Sequence, residues 1–99
     1  MLAVVIIFTK MRTIYKYELK IKDEQKVEIS GMREFLKVSE QNGNLCLWCL
    51  VETNDKEIYT AEVVIVGTGH KIESQLFNKS TYFDSVIMSN GLVWHVALA

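Results

Sequence analysis

The sequence predicts an all-β fold, or a mainly β fold with one short helical turn, arranged as a small antiparallel sandwich or partly open barrel of six to seven strands. Apolar and polar side chains alternate with a period of two along most of the chain, which is the spacing of strands rather than helices. Proline is absent from the 99 residues, so the strands are expected to be joined by short turns of Gly, Asn and Asp. No segment offers the long amphipathic helix that a parallel crossover needs, so we expect antiparallel strands.

A chain of this length can form one domain with one core, and we expect residues 11–99 to be a single β domain. Residues 1–10 differ, because they contain the uncharged apolar run LAVVIIF. This run is far shorter than the ~20 residues that cross a bilayer, and it lacks the basic flank and cleavage site of a signal peptide. We interpret it as a leader before a second start at Met11, or as an added strand that pairs with a sheet edge of this chain or another copy.

The first two strands are predicted in TIYKYELKI (13–21) and KVEIS (26–30), with the polar turn KDEQ (22–25) between them. In each segment one face is apolar and the other is charged. Tyr15, Tyr17, Leu19 and Ile21 share the apolar face of the first segment, and the second segment alternates through Val27 and Ile29.

A hairpin is predicted in the middle of the chain. After Gly31, REFLKVSE (33–40) alternates with Leu36 and Val38 inward, and QNGN (41–44) contains Asn-Gly, the strongest short hairpin signal. LCLWCLV (45–51) follows as seven consecutive apolar residues, which is typical of a strand buried on both faces. We therefore expect this strand to be central in its sheet.

The remaining segments continue the pattern, with one exception where a helical turn is plausible. Loops are expected at ETNDKE (52–57) and SNG (89–91), strands at EIYTAEVVIV (57–66), YFDSVIM (82–88) and LVWHVAL (92–98), and the helical turn at KIESQLF (71–77).

The segment VVIVGTGH (63–70) is the best-equipped candidate site. A phosphate-binding loop of the Walker type needs Lys and then Ser or Thr after its second Gly, and a dinucleotide loop needs three glycines. Here Lys71 leads into Ile72, so the favoured interpretation is a strand corner whose glycines supply positive φ. The residues of this loop remain candidate contacts for a small anionic ligand: Gly67, Thr68, Gly69, His70 and Lys71.

Cys46 and Cys49 have C-x-x-C spacing, but they lie in a predicted strand. Side chains three residues apart in a strand point to opposite faces, so the two sulfurs should diverge. No second pair of cysteines completes a zinc site. We expect two buried, reduced thiols, with no metal and no cofactor.

The two histidines do not indicate catalysis. His95 lies in an apolar strand with Trp94 on the other face, where a histidine is usually hydrogen-bonded within the core or at its edge. A catalytic dyad also needs a nucleophile and an orienting carboxylate, and no G-x-S-x-G motif is present. Joint metal binding by His70, His95 and Cys46 has no support in their spacing. We assign no catalytic residue and expect the protein not to be an enzyme.

Charge disfavours nucleic acid as a partner. Eleven Lys and Arg against twelve Asp and Glu leave a net charge of -1, whereas nucleic-acid-binding domains usually have a basic excess. Strand alternation also places Lys16 on the face opposite Tyr15 and Tyr17, so these residues do not form a stacking platform. No membrane partner is expected either.

From Met11 onward the chain resembles a group of small phage- and prophage-encoded proteins of unknown function. The pieces that resemble this group are TIYKYELKI, EQNGNLCLWCLV, IVGTGH and SNGLVWHV. The resemblance brings no activity or catalytic residue. It implies a small accessory protein of a bacterial virus that acts in the host cytoplasm, where thiols stay reduced.

Two functions are expected from these observations. The first is a non-enzymatic protein that binds a host component by surface complementarity, for instance as an inhibitor of host antiviral defence, and that can form homo-oligomers through its sheet edges. The alternative is a protein that binds or sequesters a nucleotide or phosphate, or a minor enzyme, using the 67–71 loop with His70 as acid or base.

Overall fold

The computed structural model describes residues 11–73, 75–77 and 81–99. These residues form seven strands and no helix, which confirms the all-β prediction. The prediction for LAVVIIF falls outside the described residues. The strands are β1 (Arg12–Glu18), β2 (Glu24–Ser30), β3 (Met32–Gln41), β4 (Asn44–Glu52), β5 (Ile58–Gly67), β6 (Tyr82–Ile87) and β7 (Val93–Leu98).

The strands form two antiparallel sheets in a sandwich-like arrangement, not a closed barrel. The three-stranded sheet has the order β1-β4-β3, and the four-stranded sheet has the order β2-β5-β7-β6. One apolar cluster joins their facing sides, with fully buried Leu47 and Cys49 from β4, Ile29 from β2 and Val96 from β7. The two sheets therefore share one core.

The chain passes from one sheet to the other at Gly31, where β2 ends and β3 begins. Its φ is +67°, and a Cβ there would lie 2.2 Å from the carbonyl oxygen of Glu52. Gly31 N–H donates to Glu57 O at 2.9 Å, and Glu52 N–H donates to Gly31 O at 2.8 Å. Only glycine allows this left-handed backbone and close approach together, so Gly31 makes the corner between the sheets.

An ion cluster reinforces the same corner. The Arg33 guanidinium lies 2.8 Å from a carboxylate oxygen of Glu52 and 2.9 Å from one of Asp55. The pKa of Asp55 is lowered, first because its carboxylate accepts a hydrogen bond from the backbone N–H of Glu57 and second because of Arg33. The predicted loop 52–57 is thus tied to the start of β3.

The Asn-Gly hairpin and the central position of β4 are confirmed. Asn42 and Gly43 have φ values of 53° and 82°, which a two-residue type I′ turn requires, and Gln41 pairs with Asn44. β4 lies between β1 and β3.

The prediction that Leu36 points inward is wrong. The β3–β4 register shifts between Phe35 and Lys37, so Leu36 is an extra residue in a bulge. Phe35 packs against the core, Val38 is buried, and Leu36 is 38% exposed. A bulge resets the alternation of side chains, and a strict period of two cannot anticipate it.

The outer faces of the two sheets differ. On the four-stranded sheet, Leu76 and Phe77 pack against Val64, Val66 and Ala97, so the chain covers its own second apolar face. Residues 71–73 and 75–77, where a helical turn was plausible, contain no helix. On the three-stranded sheet no described strand packs over the outer side of β4.

Candidate functional site

The 67–70 segment is a tight corner at the end of β5. Gly67 is the last residue of the strand, Gly69 has φ +85°, and the N–H of His70 donates to Gly67 O at 3.1 Å. This N–H group is therefore used within the turn itself, and no helix follows in the described chain to add a dipole. The geometry is that of a strand corner.

The two glycines of the corner have different roles. Gly69 supplies the positive φ that the turn needs, as predicted, but the same prediction is wrong for Gly67, which does not have a positive φ. Gly67 instead makes room for His70, because a Cβ at Gly67 would lie 2.9 Å from two atoms of the imidazole ring. A larger residue at position 67 would displace His70.

The structure places four of the five candidate residues in two clefts, and Gly69 lines neither of them. Gly67, Thr68 and His70 line a cleft of about 360 Å³ with residues 91–94, which adds Leu92, Val93 and Trp94. Lys71 lies in a second cleft of about 460 Å³ together with Asp23, Glu24 and Glu73. The first cleft is thus mostly apolar with two polar groups, and the lysine lies among carboxylates elsewhere.

His95 forms the centre of a polar chain that sequence reasoning did not identify. Its Nε2 lies 2.7 Å from the Thr68 hydroxyl, and its Nδ1 lies 2.6 Å from the Ser85 hydroxyl. Ser85 is also hydrogen-bonded to the Tyr82 hydroxyl. Trp94 packs against the core, so the two residues point to opposite faces as predicted.

The chemistry open to the hydrogen-bonded side chains around His95 follows from the fact that its partners are uncharged hydroxyl groups. A neutral imidazole donates from one nitrogen and accepts at the other, so the hydrogen bonds can run in either direction along the chain. The Asp84 carboxylate accepts from the backbone N–H of Ser85, and hydroxyls occupy both imidazole nitrogens. Among the described residues, no carboxylate bonds to His95 to make the carboxylate–histidine pair that orients the base of a catalytic triad.

The sulfurs of Cys46 and Cys49 diverge, as predicted. Cys49 belongs to the core between the sheets, whereas Cys46 lies on the other side of β4 with its thiol 3.6 Å from Asn44 O. Burial raises the pKa of Cys49 to about 11 and also raises that of Cys46. Both are free thiols, and the described residues contain no group of three side chains placed to hold a metal ion.

A second candidate site is the outer face of the three-stranded sheet, named here the β4 face. Trp48 lies at its centre, where its indole N–H donates to the Ser39 hydroxyl at 2.9 Å and the Lys16 ammonium lies 5.9 Å from its ring centroid. Lys16 is in turn hydrogen-bonded to Gln41. The β4 face consists of Ile14, Lys16, Glu34, Leu36, Lys37, Trp48 and Leu50.

Comparison with known proteins gives one family. Residues 11–99 match the family described as "Domain of unknown function (DUF7352)". The chain belongs to this family. The match spans all seven strands, both clefts and the β4 face. Neither the curated proteins nor the solved structures contain a match. Within the described chain no helix is long and apolar enough to span a membrane.

Proposed function

We propose that this protein is a non-enzymatic binding protein that engages a protein partner through the β4 face. The observation that supports this proposal most strongly is the difference between the outer sides of β4 and β5. β4 and β5 are both apolar on two sides, but Leu76 and Phe77 cover the second side of β5, while no described strand covers that of β4. An apolar surface left open beside a complete core is typical of an interaction site.

The composition of the β4 face fits a protein partner. Its centre is aromatic and aliphatic, with Trp48 and Leu50 half-buried, Leu36 38% exposed and Ile14 56% exposed. Charged residues of both signs surround this centre. An aromatic anchor within a polar rim is the usual anatomy of a binding hot spot.

Trp48 is suited to be the anchor because its orientation is already held. The hydrogen bond to Ser39 and the stacked Lys16 restrict the indole before any partner arrives. A side chain that is ordered beforehand loses less conformational entropy on binding. The mixed charge of Lys16, Lys37 and Glu34 favours a protein surface over a nucleic-acid backbone.

The proposed context is a bacterial virus. The resemblance of residues 11–99 to small phage and prophage proteins supports an accessory role in the host cytoplasm. Such a protein would act by occupying the surface of a host component, and we propose a component of antiviral defence as that partner.

The test compares Leu36→Glu with Ile87→Glu. Leu36 lies in the β4 face, whereas Ile87 is 76% exposed on the other sheet, so both changes add one carboxylate at an exposed isoleucine or leucine. Each tagged variant is used to capture proteins from a bacterial lysate. A partner retained by the wild type and by Ile87→Glu, but lost with Leu36→Glu, supports the proposal. Retention by all three, or no specific capture, contradicts it.

A second function is supported by the 67–70 cleft. Its volume of about 360 Å³ lies at the small end of ligand pockets, and it brings together three of the five candidate residues. We propose a small nucleotide or phosphate compound as its ligand. A ligand at about 100 times its dissociation constant stabilises the fold by roughly 2.7 kcal/mol, which a thermal-shift panel detects.

The variants His70→Ala and Lys71→Ala locate such a ligand. Because His70 and Lys71 line different clefts, a ligand in the 67–70 cleft loses its effect with His70→Ala and keeps it with Lys71→Ala. The reverse result places an anion beside Lys71. No thermal shift with any compound in the panel contradicts this second function.

A further inference from the structure

Among the residues that the structure describes, none pairs with the outer edge of β1 in the three-stranded sheet. Within the described chain, β1 pairs only with β4. The N–H of Leu19 donates to Leu45 O and the carbonyl of Met11 accepts from Thr53 N–H, so odd-numbered residues direct their backbone groups toward β4. Even-numbered residues therefore direct theirs to the open edge, since backbone direction alternates along a strand.

This open edge has a defined end. The next even-numbered residue, Lys20, is capped by the side chain of Gln25, which accepts from Lys20 N–H at 3.1 Å and donates to Lys20 O at 2.6 Å. Within the described part of the chain, the groups without a strand partner are thus the four N–H and four C=O groups of Arg12, Ile14, Lys16 and Glu18. Such a row is a template for another strand.

We infer that a second copy of this chain pairs with β1, antiparallel and across a two-fold axis through Tyr15. In this register Arg12 faces Glu18 of the other copy, and Ile14 faces Lys16 of the other copy. Every pair then joins two residues whose backbone groups face the edge, so all eight hydrogen bonds can form. The dimer has one continuous six-stranded sheet, β3-β4-β1-β1-β4-β3.

Charge selects this register over its neighbours. A two-fold axis one residue earlier, at Ile14, places Arg12 opposite Lys16 of the other copy. An axis one residue later, at Lys16, places the two copies of Lys16 opposite each other. Like charges directly opposite are unfavourable and opposite charges favourable, so the axis at Tyr15 is preferred.

The inner side of β1 supports the same arrangement. Tyr15 pairs with fully buried Cys49 on the core side of the sheet, yet Tyr15 is 51% exposed because β1 lies at the sheet edge. In the dimer the two copies of Tyr15 form a non-hydrogen-bonded pair, in which opposite side chains approach most closely. The pairing therefore covers aromatic surface that the single chain leaves exposed.

The test measures the self-association of the full chain. A seven-residue strand pair is a small interface, so the dimer is weak and sedimentation is followed up to about 500 µM. Glu18→Arg places arginine opposite Arg12 twice in each dimer and should weaken association about tenfold. Arg12→Glu should do the same, and the double exchange Arg12→Glu with Glu18→Arg should restore it. Glu28→Arg, an equal charge reversal on exposed β2, is the control and should leave association unchanged.

Amide signals give a second, independent readout. As concentration rises, the amides of Arg12, Ile14, Lys16 and Glu18 should become protected from hydrogen exchange, whereas those of the odd-numbered residues are protected throughout. A chain that stays monomeric, a dimer that tolerates both single reversals, or a double exchange that restores nothing overturns the inference. Leu36→Glu lies outside β1 and should not alter association, which separates this result from the proposed function.

Discussion

Gly31→Ala provides a direct measure of how strongly the corner between the two sheets depends on glycine. The added methyl group would lie 2.2 Å from the backbone oxygen of Glu52, a distance that real Cβ atoms do not show. The backbone there has φ +67°, and alanine in the left-handed region costs about 1–2 kcal/mol.

Relief of the contact must move backbone, because the atom in the way is a carbonyl oxygen. Such movement strains the hydrogen bonds from Gly31 N–H to Glu57 O and from Glu52 N–H to Gly31 O. Each is worth about 1 kcal/mol net. The total expected loss is therefore about 3–4 kcal/mol of the free energy of unfolding.

Gly91→Ala is the matched control. Gly91 has φ +87°, but a Cβ there meets nothing within 4 Å. Its substitution should cost only the backbone term, about 1–2 kcal/mol. Urea unfolding followed by tryptophan fluorescence reports both sheets, because Trp48 lies in β4 and Trp94 in β7. Equal free energies of unfolding for the two variants would refute the role of the close contact at Gly31.

Three further predictions concern single sites. Cys49→Ala should remove a pH dependence of the free energy of unfolding. Burial raises the Cys49 pKa from 9.0 to about 11, so between these pH values the native thiol keeps its proton while the unfolded thiol loses it. As the pH rises from 9 to 11, the free energy of unfolding of the wild type should therefore fall by up to about 3 kcal/mol relative to that of the variant. The hydroxyls of Thr68 and Ser85 bond to opposite nitrogens of His95, and Thr68→Val and Ser85→Ala each remove one of these hydrogen bonds. A double-mutant cycle of the two substitutions should show a coupling of about 0.5–1 kcal/mol in the free energy of unfolding. Additive losses would mean that the two hydrogen bonds are independent. Asn42→Gly should be neutral or slightly stabilising and Asn42→Val destabilising by about 1–2 kcal/mol in thermal unfolding, since φ is 53° there; equal stabilities would contradict the turn geometry.

Local patterns predicted most of the fold. The strands, the Asn-Gly turn and the central position of β4 follow from period-two alternation, from φ preferences and from a run of seven apolar residues. The divergence of Cys46 and Cys49 follows from the same alternation. Each of these depends on neighbours within a few positions, which a sequence displays directly.

The candidate sites were less accessible to sequence reasoning. The 67–71 loop was identified, but its division into two clefts depends on which distant residues pack beside it. The hydrogen-bonded chain at His95 joins Thr68 and Ser85, which are 27 and 10 positions away. No spacing rule predicts such a chain, because strand register brings its members together.

By itself the sequence determined the strands, their antiparallel class and the divergence of the two thiols to opposite faces of β4. Tertiary structure decided which strands share a sheet, that Gly31 makes the corner, that Leu36 lies in a bulge and that, among the described strands, only β4 pairs with β1. The physical reason is the distance along the chain over which each interaction acts. Alternation, turn preference and apolar runs act between neighbouring residues, whereas register and the covering of each face are set by contacts between segments far apart in the chain.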